Sequence, residues 1–333
     1  MDKIDLSEVC RNYRARVIRV TPFDDCYLLE TNRGPKELHV WPRVDVMRWS
    51  FAWRERLARQ GFREVERFIR TRDAKPYVIA GKQGVTMTDH VRKLEKLPPE
   101  KDTAYQCGRV VAMMHLSQQE SNVLLPGVDY LKQEQIKAEA ECARAKSLLE
   151  SYRARFAREK GEKRWVGSLM KPLLERMERS IAMLGSESIA PDAVSVSHRE
   201  LLGDNFGLMN GKLYLRGFFR PSLSVQQRDV ARYLRDLYVE CRDLARIDSF
   251  LDGYEEIKPL SYADYTLMLA FMARPREVWR SVEAYANRVS DSKEASVAGI
   301  EQALQTQQAV DLLLRHIAER AERPRSETDY EPL

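Results

Sequence analysis

The stretch VSVSHRELLGDNFGLMNGKLYLRGFF, residues 194–219, decides how the chain is read. At its centre Asn210-Gly211 separates FGLM from KLYLR. Both central positions of a type I′ hairpin turn need positive φ, and Asn-Gly meets that need, so a β-hairpin is predicted over 206–216. A polar loop precedes it over 196–205, containing His198, Glu200, Asp204 and Asn205. Arg216 and Gly217 follow it.

Upstream, the first ninety residues alternate short apolar runs with turns. RVIRV, CYLLET and ELHVW read as strands, with TNRGPK as the turn before the third. A helix is predicted from about Val44 to Arg59. Val46, Trp49, Trp53 and Leu57 fall on one helical face, and Gly61 is the natural stop. EVERFIRT, YVIA and VTMT read as further strands. A helix covering a sheet implies a compact α+β lobe over 1–90.

From His90 onward the pattern turns helical, so 91–333 is predicted as a large helical lobe. Residues 101–116 place Cys107, Val111 and Met114 together. Residues 130–160 carry only a thin apolar stripe of Leu149, Tyr152 and Phe156. Positions 169, 173, 177 and 181 recur every four residues, with Pro172 expected to start or kink that helix. Helices resume at VQQRDVARYLRDL and run to about residue 323.

Composition excludes several classes. Of 333 residues, 44% are apolar and 32% charged, a globular balance. No apolar run is long enough for a membrane span, and no secretory signal is seen at the start. The five cysteines are scattered and never form C-x-x-C; the five histidines are equally dispersed. Neither a disulfide framework nor a metal site is expected, and a reducing compartment is. Between Lys132 and Ala182 stand 13 Lys/Arg against 8 Asp/Glu, which equals the whole net charge of +5. Such a segment can meet an acidic protein or a polyanion, although no nucleic-acid-binding signature accompanies it.

The order of a small mixed lobe, a helical lobe and a His-x-acid-x4-Asn loop resembles the protein-kinase-like fold, in its aminoglycoside/choline phosphotransferase branch. Within it the chain resembles the spore-coat kinase-like, CotS-type proteins of endospore-forming bacteria. The segments that carry the likeness are YLLETNRGPKELHV, GFREVERFIRTRDAKPYVI (the group's lobe-linking stretch), GRVVAMMHLSQ, the opening stretch and RDVARYLRDL.

The resemblance implies a site with several parts altered. Phosphoryl transfer needs a phosphate cradle, metal ligands and a carboxylate that positions the nucleophile. The first turn, RVTPFDDCY, has no glycine. Trp41, or His39 with a two-residue slip, falls at the cradle-lysine position. Glu200 stands where the family carries its catalytic Asp, Asn205 keeps the metal-binding amide, and Gly217 falls on the metal-binding Asp. His198 and Asp229 match structural props of the loop.

The expectation is therefore a catalytically degenerate kinase-fold scaffold that binds coat proteins, in the mother-cell cytoplasm and the coat. No cofactor is expected, weak binding of ATP and magnesium staying open. Two alternatives stand beside it. One is an active small-molecule or sugar phosphotransferase using Glu200 and Asp204. The other is a polyanion binder using the basic helices, where Arg155, Arg158, Lys163 and Trp165 mark the candidate partner surface.

Overall fold

A computed structural model describes residues 5–23, 26–91, 93–117, 130–185, 194–197, 201, 205–218, 222–287 and 296–322. His198, Glu200 and Asp204 lie outside the described residues.

The chain begins with a short helix, α1 (Leu6–Arg11), that the sequence reading does not include. Strands β1 (Val17–Phe23), β2 (Cys26–Thr31) and β3 (Lys36–Trp41) follow, then α2 (Val44–Arg59), β4 (Val78–Ala80) and β5 (Gln83–Asp89). The five strands form one antiparallel sheet in the order β1-β2-β3-β5-β4. Its two faces separate by the period of two. Leu29, Leu38, Val85 and Met87 pack on Val9, Cys10 and Tyr13 beside α1. Residues of opposite parity, Trp41 among them, meet Met47 of α2 and Phe68 on the other face.

EVERFIRT is not a strand of this sheet. Val65 bridges instead to Leu215 of the hairpin, in parallel sense. The segment alternates charged and apolar residues, which suits a strand, but its buried Glu66 faces Arg54 of α2. Its placement between the two lobes agrees with the resemblance rather than with the periodicity.

The larger lobe contains α3 (Lys101–Leu116), α4 (Tyr130–Phe156), α5 (Glu162–Leu184), β6 (Val194–Ser197), β7 (Phe206–Met209), β8 (Lys212–Leu215) and β9 (Ser222–Val225). Helices α6 (Gln227–Cys241), α7 (Leu244–Ile257), α8 (Tyr262–Ala273), α9 (Arg276–Asn287) and α10 (Val297–Ala321) complete it. β6 pairs with β9, and β7 with β8. The predicted turn is present, with φ of 54° at Asn210 and 74° at Gly211.

Two cores hold this lobe. The first gathers α3, α6, α7, α8 and α10 with Trp53 and Leu57 of α2. Here α3 and α7 lie backbone against backbone, because Gly108 and Gly253 have no side chains. A Cβ on Gly108 would stand 1.9 Å from the Phe250 carbonyl oxygen, and one on Gly253 2.1 Å from that of Tyr105. The second core joins α4, α5, α9 and α10. Of the predicted stripe of α5, Leu173 and Met177 are buried and Leu169 and Ile181 are partly buried against the core, with Val166, Met170 and Leu184 joining them. Pro172 sits inside α5 and does not start it; Gly161 is its N-cap.

Candidate functional site

Hairpin β7–β8 is gripped on both edges. Glu95, in the linker after the sheet, exchanges two backbone hydrogen bonds of 2.9 Å with Leu208. On the other edge the Glu66 N–H donates to the Leu215 carbonyl (2.9 Å), and the Leu215 N–H to that of Glu64 (3.0 Å). The approach at Glu95 is close enough that a Cβ on Gly207 would lie 2.6 Å from its carbonyl oxygen. The hairpin thus holds Asn205 and Gly217 side by side at its open end, where the Arg216 N–H donates to the Asn205 carbonyl at 2.9 Å.

Asn205 and Gly217 are brought together. Gly217 adopts φ +89°, a left-handed backbone that favours glycine. A Cβ there would stand 2.7 Å from Asn205 Oδ1. An aspartate at 217 therefore meets both backbone strain and the Asn205 amide. The Arg216 guanidinium donates to the Val91 carbonyl, so it serves the linker in addition to standing beside this position.

The carboxylate next to Gly217 belongs to Glu66, which accepts the Gly217 N–H at 3.3 Å. Glu66 is buried and faces Arg54 of α2 at 3.6 Å, itself 2% exposed. The Arg54 guanidinium lies 3.5 Å from the Phe68 ring centroid and 5.5 Å from that of Phe218, so aromatic faces supply part of its solvation. Burial holds its pKa down to about 10, and it stays charged at neutral pH. Burial pushes the Glu66 carboxyl up, with Arg54 opposing. The sequence reading missed this pair. Its only signal is an arginine one residue past Trp53, at the edge of the apolar face of α2.

Trp41 is buried, and its indole N–H donates to Thr86 Oγ1 at 2.8 Å. On the same face of the sheet, Glu37 lies between two histidines: His39 Nε2 at 3.3 Å and His90 Nδ1 at 2.7 Å. Burial pushes the Glu37 carboxyl up, but the hydrogen bonds from His39 and His90 outweigh it and leave the group below its ordinary range. Cys26 completes a group that sequence separation conceals; the dispersed histidines give no hint of it.

Asp229 sits in the first turn of α6 and is buried. Its carboxylate lies 3.4 Å from His115 Nε2, and His115 Nδ1 is 2.8 Å from the Tyr254 hydroxyl. Burial lowers the His115 pKa, against the raising effect of Asp229. A neutral ring donating from Nε2 to Asp229 and accepting at Nδ1 from Tyr254 satisfies all three groups. Asp229 thus ties α6 to α3 and α7.

Of the candidate partner residues, Arg155 and Arg158 are exposed, while Trp165 is half-buried against the second core. Phe156 also packs there, with the Arg155 guanidinium 5.0 Å and the Lys163 ammonium 4.9 Å from its ring centroid. The aromatics of this segment therefore contribute to the fold, and its charges form the surface.

Residues 192–317 match the protein family described as "Spore coat putative kinase YutH". No curated protein matches the chain in sequence. Among solved structures it is similar to an aminoglycoside phosphotransferase from Alicyclobacillus acidocaldarius subsp. acidocaldarius, with TM-score 0.74 and 14% identity over 97% of this chain and 98% of that one. It is similar to the amicoumacin kinase hAmiN in complex with AMP-PNP, Ca2+ and Ami (TM-score 0.60, 15% identity, 92% of each chain). A third likeness is to the AMP-bound spectinomycin phosphotransferase APH(9)-Ia (TM-score 0.59, 13% identity, 96% and 98%). At such identities the likeness shows the fold. The architecture is that of the aminoglycoside phosphotransferase type of the kinase-like fold, an antiparallel-sheet lobe on a larger helical one. The resemblance to spore-coat kinase-like proteins is borne out by the family match.

Proposed function

We propose that this chain, whose residues 192–317 match a spore-coat kinase family, is a catalytically degenerate kinase-fold protein that acts as a binding or scaffold component in coat assembly. The observation that carries this reading is the left-handed Gly217 packed on Asn205, where the fold's metal-binding carboxylate is expected. The buried, hydrogen-bonded Trp41 at the lysine position supports it. The nearby carboxylate of Glu66 is already engaged by Arg54. Fold alone does not assign function, and the coat role rests on the family match.

Nucleotide binding is the deciding measurement. A ligand present at 100 times its Kd stabilises a protein by about 2.7 kcal/mol. Millimolar Mg-ATP is expected to leave the melting midpoint unmoved. A magnesium-dependent rise would favour the rival reading, an active phosphotransferase using Glu200 and Asp204.

A scaffold needs a docking face, and the basic segment from Lys132 to Ala182 is its candidate. The triple variant Arg155→Glu, Arg158→Glu, Lys163→Glu is expected to fold as the parent does, at a cost of about 0.5–1 kcal/mol each at 155 and 163, where a cation over Phe156 is lost. Recruitment to the coat in sporulating cells is expected to be lost. Undiminished recruitment removes this face from the proposal. If retention on an immobilised polyanion is lost instead, with coat recruitment intact, the polyanion reading gains.

A further inference from the structure

The sheet face that carries Trp41 also carries Cys26 on β2 and Glu37 and His39 on β3. One ligand atom from each of the three lies within 4.8 Å of the others. Cys26 is 7% exposed, and the side chains of Glu37 and His39 are 12% and 6% exposed. His39 Nε2 stands 3.3 Å from Glu37 Oε2. Donors bound to one tetrahedral ion at about 2.0–2.3 Å sit roughly 3.3–3.8 Å apart, so that edge already has the spacing of a coordination shell.

We propose that Cys26, Glu37 and His39 bind a divalent transition-metal ion of the zinc type, with His90 holding Glu37 from outside the shell. Three features favour it. The donor set of one thiolate, one imidazole and one carboxylate suits a borderline-soft ion and not magnesium or calcium, which take oxygen ligands. Charge balances: thiolate and carboxylate carry two negative charges against a doubly positive ion, so the buried site is neutral overall. His90 Nδ1, 2.7 Å from Glu37 Oε1, leaves Oε2 toward His39, the arrangement by which an outer histidine orients a ligating carboxylate. Binding releases the thiol proton to solvent, and no redox partner is needed. The fourth position is filled by water.

The test is a cobalt titration of the full chain, freed of metal with a chelator under reducing conditions. A thiolate-to-cobalt charge-transfer band should saturate at one equivalent, and zinc should displace it. Cys26→Ser should abolish the band, while Cys241→Ser should keep it. His39→Gln should weaken binding at least tenfold. His90→Gln should keep the band but weaken binding about 10–100-fold. No band at one equivalent, or a band unchanged in Cys26→Ser, overturns the proposal. If Cys26→Ser does not fold, an affinity unaltered by both histidine variants overturns it.

Discussion

Arg54→Ala is expected to destabilise the protein by about 3–5 kcal/mol, because it leaves Glu66 buried without its counter-charge. Equilibrium urea unfolding measures this. The loss should depend on pH. Without Arg54 the Glu66 pKa, already raised by burial, rises further. Between the ordinary value of 4.5 and that raised value, the native state holds a proton that the unfolded chain has released. Stability therefore falls as pH climbs through the window. The deficit of the variant is smallest in acid below about pH 4.5 and complete above the raised pKa. Arg54→Met with Glu66→Leu removes both charges and should recover most of the loss, since apolar replacement of a buried pair is often neutral or stabilising by about 1–4 kcal/mol. A cost of less than about 1 kcal/mol for Arg54→Ala would show that water reaches Glu66.

Gly108→Ala is expected to cost about 2 kcal/mol net even though alanine is the better helix former. Propensity favours the substitution by about 1 kcal/mol. Against it, the new methyl would lie 1.9 Å from the Phe250 carbonyl oxygen and 2.8 Å from the Tyr254 amide nitrogen. Backbone atoms cannot rotate aside as a side chain can. Restoring ordinary contact at 3.4 Å separates α3 from α7 by about 1.5 Å. That separation loosens the edge contact between the His115 and Tyr254 rings and the hydrogen bond from the Tyr254 hydroxyl to His115, which join α3 to α7. Overpacking of this kind costs about 1–3 kcal/mol, occasionally more. Thermal melts with near-ultraviolet dichroism check it; a variant as stable as the parent would mean that the helices part freely.

How much of this was legible in the sequence depends on which physics set each feature. Helix α2 and strand β2 lie where periodicity puts them, and the Asn210-Gly211 turn follows from φ alone. These are local constraints. The segment 64–71 shows the limit of such reading. Its alternation suits a strand, yet its position follows from a buried acid whose partner is twelve residues earlier on a helix. The cluster of Cys26, Glu37, His39 and His90 is hidden for a related reason. Strand pairing assembles it from β2, β3 and the end of the sheet, and no spacing along the chain announces that. The resemblance pointed to Gly217 and Trp41, but not to Glu66 lying against the Gly217 amide.

The hairpin gripped on both edges also bears on mechanics. Four backbone hydrogen bonds, two at Glu95 and two at Leu215, join the segments on either side of it into one ribbon. Sliding one lobe over the other would break all four together. Rotation about the ribbon breaks none. Against rotation stand Trp53 and Leu57 of α2, buried in the core of the larger lobe, and the Trp53 indole N–H that donates to the Met114 carbonyl at 2.8 Å, so the lobes are held against swing as well as slide.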